Sequence, residues 1–197
     1  CSSDLIIAIR HKLIQKKATG HFISALDDIA WILNCRGSDV EYNPVFLAHL
    51  FIDHSRTVLF IDDAKLSTEM QRRFALDNIE ILPYNASIEF LVELKQQNIL
   101  IDPAKTSIAH TQAIEQKSHL VQDINPSTLF KSQKHPSEIQ HVRNAMIKDG
   151  VALCHFFQWL DTALTNNESI NELTIDEMIT GFRAKQKDFL RLSFSTI

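Results

Sequence analysis

The apolar positions of the first segment recur every three or four residues, which is the spacing of a helix that buries one face. Serines and an aspartate at its start can cap this helix, and Lys16 and Lys17 close it ahead of Gly20. The apolar stripe consists of Leu5, Ile6, Ile9 and Leu13. The pattern predicts a surface helix followed by a short apolar run at residues 21–23.

The next segment with helical spacing covers residues 25–33 and predicts a short helix. Ser24 can cap its start, and Asp27 and Asp28 lie in its first turn, where the helix dipole stabilises carboxylates. Because adjacent residues on a helix point in different directions, we interpret the two aspartates as helix-start residues rather than as a catalytic pair.

Helical and β-type segments alternate through the middle of the chain. Residues 45–52 and 57–62 are extended runs separated by a polar stretch, which predicts a β-hairpin. The alternation predicts an α/β fold with helices on the faces of a sheet, and the hairpin makes that sheet mixed rather than purely parallel. Further predicted helices cover residues 67–76, 86–97 and 106–116, and further predicted strands cover 79–82, 99–102 and 120–124.

A long amphipathic helix is predicted from Pro136, a residue that suits the first position of a helix. Gly150 lies inside it at a cost of about 1 kcal/mol relative to alanine. We expect its apolar stripe to pack against a neighbouring part of the protein or a partner chain, or else not to be fully ordered. The stripe contains Ile139, Val142, Met146, Leu153, Phe157, Leu160 and Leu164.

The carboxyl-terminal pattern predicts one more helix and a strand. Thr174 and Glu177 have the spacing of a capping box that starts the helix, and residues 189–197 have an extended pattern. We therefore expect a first domain over residues 1–132 and a second, incomplete one over 133–197, which is too short to bury its own apolar stripes.

Composition and charge exclude several classes of protein. The chain has 197 residues, 45% of them hydrophobic, and a formal net charge of −4. This balance argues against a nucleic-acid partner, and the longest apolar runs are far too short to cross a membrane. Three cysteines without a CxxC spacing favour a reduced, cytoplasmic setting. A start at Cys1 without methionine or a targeting signal suggests a piece of a longer protein.

The common catalytic signatures are missing from the sequence. Its four glycines stand at positions 20, 37, 150 and 181, so neither GxGxxG nor GxxxxGK[ST] can be written. HExxH and GxSxG are also absent. The nine histidines lack metal-ligand spacing, and we interpret them as surface or capping residues with no metal site. Cys35 beside Arg36 is interpreted as a buried structural cysteine rather than an activated thiol.

Residues 34–44 form a loop rich in charged and amide side chains between a helix and a strand. Loops of this kind commonly display binding groups, and Arg36, Gly37, Asp39 and Asn43 are the candidates here. The alternative is an ordered connection in which Asp39 and Asn43 bond the local backbone.

Two adjacent runs carry a resemblance to a known family. Residues 24–34 (SALDDIAWILN) and 36–46 (RGSDVEYNPVF) closely resemble the second domain of the large, three-domain Xaa-Pro aminopeptidases. The less specific helix start at Pro136 is shared more widely with prolidases and creatinase-like proteins. Further agreement lies in residues 134–138, 146–149, 151–153, 159–160 and 189–197.

The resemblance implies a creatinase N-terminal-like domain, followed by the opening helices and strand of a truncated pita-bread catalytic domain. It implies a parent hydrolase that removes the amino-terminal residue of peptides with proline in second position, using two divalent ions, commonly manganese. The metal ligands of the family lie beyond the part that this chain resembles, so we expect the chain itself to bind no catalytic metal and to be inactive. A cytoplasmic and homodimeric parent is compatible with the resemblance, and residues 36–43 would shape substrate access.

Two other functions stay open at this point. The chain could be a non-catalytic α/β module for protein interaction, which the sequence following residue 197 would distinguish. It could also be a stand-alone protein that binds a small molecule, although the missing glycine motifs argue against nucleotides.

Overall fold

The structure is a computed structural model that describes residues 2–194. The chain divides into two compact units. The sheet unit comprises Cys1–Val40 and Pro44–Gln133, and the helical unit comprises Glu41–Asn43 and Lys134–Ile197.

The sheet unit is built on a six-stranded mixed sheet in the order β4-β3-β2-β1-β5-β6. β2 runs antiparallel to both β1 and β3, whereas the β1–β5, β3–β4 and β5–β6 pairs are parallel. The predicted hairpin and the mixed α/β sheet are thus confirmed. The strands are β1 (Gly20–Ile23), β2 (His49–Asp53), β3 (Thr57–Phe60), β4 (Ile79–Leu82), β5 (Asn98–Ile101) and β6 (His119–Gln122).

Six α-helices and two short 3₁₀ helices (Asp63–Lys65 and Tyr84–Ala86) accompany this sheet in the described residues. The α-helices are α1 (Ser2–Gln15), α2 (Leu26–Ile32), α3 (Thr68–Leu76), α4 (Ser87–Glu93), α5 (Ile108–Glu115) and α6 (Pro126–Ser132). The sequence patterns did not predict α6, which begins at Pro126. The predicted cap of α2 is wrong: the N-cap is Ala25, without a side-chain cap, while the Ser24 hydroxyl bonds His49 instead.

The central strands are buried on both faces, and their side chains alternate between two apolar clusters. Ile23, Leu50 and Ile52 pack with α1 and α2, while Phe22 and Phe51 pack on the opposite face with α4 and α5. The predicted stripe of α1 is confirmed, since Ile6, Ile9 and Leu13 are buried.

In the helical unit, α7 (Pro136–Thr165) runs without interruption through Gly150, and α8 (Glu172–Ala184) follows. The predicted capping box of α8 is wrong: Asn171 caps the helix, its Oδ1 accepting the Thr174 amide at 2.9 Å, so α8 begins earlier. The predicted strand is also absent from residues 189–194, and residues 195–197 lie outside the described part. No described strand of this unit could pair with it.

The buried positions of α7 are not the predicted ones. Ala152, Phe156 and Ala163 are buried, and Ile179 of α8 is buried with them in this unit. The predicted stripe is largely exposed, with Val142 56%, Met146 63% and Phe157 60% accessible. The expectation that a neighbouring part of the protein or a partner chain covers this stripe stays a prediction.

No helix in residues 2–194 has both the length and the apolar character that a membrane span requires.

Candidate functional site

Three of the predicted loop residues, Arg36, Gly37 and Asp39, lie in the sheet unit, just after α2. Asn43 lies in the short segment grouped with the helical unit, where its Nδ2 donates to the carbonyl of Glu41 at 3.4 Å. The local backbone bond of Asn43 is the arrangement expected of an ordered connection.

Arg36 is held against the carboxyl end of α2. Its Nη1 donates to the carbonyl oxygens of Ala30 at 3.2 Å and Cys35 at 2.8 Å. Carbonyls at the end of a helix lack partners within it and carry partial negative charge, so a guanidinium suits them. Arg36 therefore fixes the start of the loop, although the residue stays exposed.

Gly37 stands where a side chain would not fit. A Cβ there would lie 2.7 Å from Cβ of Phe46 and 2.9 Å from the carbonyl oxygen of Val45. The loop can follow this close path over Phe46 because position 37 has no side chain.

Asp39 joins the loop to two distant parts of the sheet unit. Its Oδ2 accepts the Leu47 amide at 2.7 Å and lies 2.6 Å from Nζ of Lys65. The lysine hydrogen bond, followed by the amide, holds the pKa of Asp39 below its usual range. Lys65 was not among the predicted residues, since 26 positions separate it from Asp39 and no motif links them.

Two cavities lie next to this ion pair. One of about 260 Å³ is lined by residues 35–39 and by apolar side chains of the sheet unit. The other, of about 520 Å³, lies at the carboxyl ends of β3 and β4 and is lined by Asp62, Asp63 and Tyr84. Ile61 and Lys65 line both cavities, so the two lie side by side.

A stack of aromatic and imidazole rings lies at the same edge of the sheet. The ring centroids of His49 and His110 are 4.4 Å apart, and Phe22 stacks on both. Tyr84 stacks on His49 at 4.9 Å and links this cluster to the larger cavity.

Serine hydroxyls hold the two imidazoles. His49 Nδ1 lies 3.1 Å from the Ser24 hydroxyl, and His110 lies between Ser87 at 3.1 Å and Ser107 at 2.7 Å. Burial lowers the pKa of His49 to about 4 and that of His110 below its ordinary value. Our interpretation of these residues as surface or capping histidines is therefore wrong.

A third buried histidine, His21, lies in β1. Its Nδ1 donates to the carbonyl of Leu100 at 2.9 Å, and burial lowers its pKa to about 4. Its Nε2, Oδ1 of Asn125 and Oγ of Ser127 are buried without a hydrogen-bond partner among the described residues. The apolar pattern of residues 21–23 does not indicate that His21 is fully buried, since it resembles any other short apolar run.

Asp28 of α2 is fully buried inside a charged cluster. Nζ of Lys131 lies 2.8 Å and Nζ of Lys105 3.2 Å from its carboxylate, and Nδ2 of Asn125 donates to it at 2.9 Å. Burial alone would raise the pKa of Asp28, but the lysines and Asn125 together hold it below its usual value. As predicted, Asp27 lies exposed in the first turn of α2. Asp28 lies in the same turn but is also the centre of this buried charged cluster, which the sequence pattern does not indicate.

The described residues hold no group of three or more histidine, cysteine, aspartate or glutamate side chains placed to bind a metal ion. Cys35 is buried and free, as predicted, and its thiol donates to the Leu33 carbonyl at 3.3 Å. This part of the molecule offers two cavities beside a loop that Arg36 and Asp39 hold through hydrogen bonds.

Comparison with known proteins places these features in a family. Residues 2–138 match the family described as the Creatinase/Prolidase N-terminal domain. Xaa-Pro aminopeptidase 1 of Dictyostelium discoideum is 37% identical over 201 residues, covering 100% of this chain and 32% of that protein. The Drosophila melanogaster Xaa-Pro aminopeptidase ApepP is 35% identical and covers 96% of this chain and 31% of its own length.

Solved structures agree with this assignment. The X-prolyl aminopeptidase of Caenorhabditis elegans, described as a cytosolic enzyme with a di-nuclear active site, has a TM-score of 0.88 and 28% identity, covering 100% of this chain and 33% of that one. The Xaa-Pro dipeptidase of Bacillus anthracis, at a TM-score of 0.64 and 12% identity over 94% of this chain and 49% of its own, shows the shared fold alone.

The chain spans about a third of the length of the curated relatives it matches. The predicted resemblance to the Xaa-Pro aminopeptidases is confirmed, and the chain belongs to the Creatinase/Prolidase N-terminal domain family.

Proposed function

We propose that this chain is a non-catalytic part of an Xaa-Pro aminopeptidase, a hydrolase that releases the first residue of peptides with proline in second position. The similarity to Xaa-Pro aminopeptidases along the whole chain, at 35–37% identity to two of them, carries this proposal. A cytoplasmic location is part of it, supported by the description of the Caenorhabditis elegans enzyme as cytosolic.

Within that enzyme, residues 1–132 would form the creatinase-type second domain and residues 133–197 the opening helices of the pita-bread catalytic domain. The division of the chain after Gln133 supports this boundary, and so does the end of the family match at residue 138. The exposed apolar face of α7 supports it as well, since a catalytic domain completed by further chain would supply a partner for Val142, Met146 and Phe157.

The complete enzyme would use two divalent metal ions, which we propose to be manganese. The residues described here do not fit such a centre, because no three potential ligands converge. No chemical step is therefore assigned to this chain. Its proposed contribution is structural, together with the loop of Arg36, Gly37, Asp39 and Asn43, which would shape the access of peptides.

Peptide hydrolysis by the complete protein tests the identity of the enzyme. With manganese present, it should release the first residue of an Xaa-Pro-Xaa tripeptide and leave the matched Xaa-Ala-Xaa peptide largely intact. Equal cleavage of the two peptides, or cleavage of neither, would contradict the proposal.

A further inference from the structure

The smaller cavity has the chemistry of a ligand site. Apolar side chains from β3, α3 and the neighbouring loops line its inner part, and Cys35 adds a buried thiol. An apolar concavity with a few polar groups is the usual form of a pocket for a small molecule. The apolar lining residues are Phe46, Leu59, Ile61, Leu66, Met70 and Phe74.

The charged lining residues lie at the solvent end of this cavity. Arg36, Asp39 and Lys65 are exposed, whereas the apolar lining residues are buried or half-buried. Among the residues that line this cavity, two are cations and one is an anion, an excess of one positive charge, while Asp62 and Asp63 line the neighbouring cavity that shares Lys65. Because Asp39 already pairs with Lys65 at 2.6 Å, a second anion could approach between Lys65 and Arg36.

The charged groups near the Cys35 thiol are also positive. Burial raises the pKa of the thiol, and the guanidinium groups of Arg73 and Arg36 both oppose that rise. Arg73 thus adds a further cation near the Cys35 thiol, and its Nη2 donates to the Leu33 carbonyl at 2.7 Å. No anionic side chain other than Asp39 lines this cavity among the described residues.

We propose that this cavity binds a small amphiphilic carboxylate, with its apolar group among Leu59, Met70 and Phe74 and its carboxylate at the rim beside Arg36 and Lys65. The same chemistry belongs to a free aryl-alkyl acid and to the carboxyl-terminal residue of a peptide that ends in an apolar side chain. This site uses only residues of the sheet unit, but Arg36 and Asp39 also belong to the loop proposed to shape peptide access. Its binding is therefore tested on the 197-residue chain, with no peptidase assay.

The chain contains an internal reporter for this binding. Met70 lines the cavity, whereas Met146 and Met178 lie in the helical unit. With the methionine methyl groups labelled with ¹³C, titration of the 197-residue chain with 3-phenylpropanoate or N-acetyl-phenylalanine should shift the Met70 signal in a saturable way. The other two signals should stay in place.

Neutral amides of the same two ligands are the matched controls, and they should bind several-fold more weakly. Saturation by 3-phenylpropanoate alone would support the site and assign it to free acids, and saturation by N-acetyl-phenylalanine alone would assign it to peptide ends. An unmoved Met70 signal with both carboxylates, or equal binding of acids and amides, would overturn the proposal.

Two charge variants at the rim give a second test, because they should change carboxylate affinity in opposite directions. Lys65→Gln should weaken carboxylate binding about two- to fivefold, and Asp39→Asn should strengthen it by a similar factor, as expected for partly exposed charges. Arg72→Gln removes an exposed cation of α3 that does not line the cavity and should change nothing. Equal affinities in all three variants would contradict a carboxylate at the rim.

Discussion

Nζ of Lys131, on α6, lies 2.8 Å from Oδ1 of Asp28, a carboxylate on α2 with no solvent exposure. The two residues are 103 positions apart, and the contact ties the last helix of the sheet unit to its second. Lys105 and Asn125 complete the shell of the carboxylate. A buried charge is tolerated only when such partners compensate its loss of hydration.

Replacing this carboxylate should therefore destabilise the sheet unit strongly. Asp28→Asn keeps the shape of the side chain but leaves two lysines without their shared partner, and we expect a loss of about 2–4 kcal/mol in the free energy of unfolding. Asp27→Asn is the matched control, since that aspartate is exposed and its pair with Lys131 should contribute less than about 1 kcal/mol. Urea unfolding measures both, and equal losses in the two variants would contradict the account.

The buried histidines should make stability depend on pH. The pKa values of His21 and His49 are about 4 in the folded chain, against an ordinary 6.5. Between these values the unfolded chain binds protons that the folded chain does not, so the free energy of unfolding falls as pH drops from 6.5 to 4. The loss approaches roughly 3 kcal/mol for the fully buried His21 and is smaller for His49, whose hydrogen bond to Ser24 is only partly buried.

Urea unfolding at a series of pH values checks this dependence. The stabilising contribution is fully present above pH 6.5. His49→Gln should flatten the slope, whereas His54→Gln, at an exposed position of the hairpin turn, should leave it unchanged. Protonation of Asp28 does not change the stability between pH 6.5 and pH 4, because its pKa is lowered. The stability that its ionised form contributes is lost only under more acidic conditions. A stability that is constant from neutral pH to pH 4 would refute the prediction.

Two glycines should respond to alanine with opposite signs. A Cβ at Gly20 would lie 2.8 Å from the ring of Phe51 and 3.2 Å from Ile99, so Gly20→Ala should destabilise the sheet unit by about 1–3 kcal/mol. Gly150 lies inside α7, and apart from the adjacent backbone of its own helix no described atom lies within 4 Å of such a Cβ, so Gly150→Ala should stabilise the helical unit by about 0.5–1 kcal/mol. Thermal unfolding followed by circular dichroism would show the two shifts, and shifts of the same sign would contradict the packing described.

The loop can be tested in the complete aminopeptidase. Arg36→Gln removes the guanidinium that fixes the loop to α2, and we expect kcat/KM for an Xaa-Pro peptide to fall by about tenfold, or 1.4 kcal/mol. Arg72→Gln, also exposed and on α3, serves as the control for a lost surface charge and should keep full activity. An unchanged kcat/KM in Arg36→Gln would show that this loop does not shape substrate access.

Local patterns were sufficient to predict most of the elements. Five of the six strands and the helices α1 to α5 follow from apolar periodicity and turn residues, because each is fixed by neighbours in the chain. Residues 21–23 were predicted only as a short apolar run, and they belong to β1. The helix caps were predicted less well. Thr174 was predicted to start α8, but Asn171, three residues earlier, caps the helix because its side chain already accepts a hydrogen bond from the Thr174 amide.

What the sequence could not show depends on contacts between distant residues. Lys65 and Asp39, or Lys131 and Asp28, share no motif, and only the fold brings each pair together. The burial of His49 has the same origin, because Phe22 and His110 reach it from other elements of the sheet unit. The apolar stripe of α7 indicated that the helix has a buried face. It did not indicate that Ala152, Phe156 and Ala163 are the buried positions.

The most direct test of the account uses the 197-residue chain and the complete aminopeptidase side by side, with the same manganese concentration and the same Xaa-Pro-Xaa peptide. The account predicts release of the first residue by the complete protein and none by the chain alone, whose described residues gather no metal ligands. Release by the chain alone at a rate comparable to that of the complete protein would contradict it.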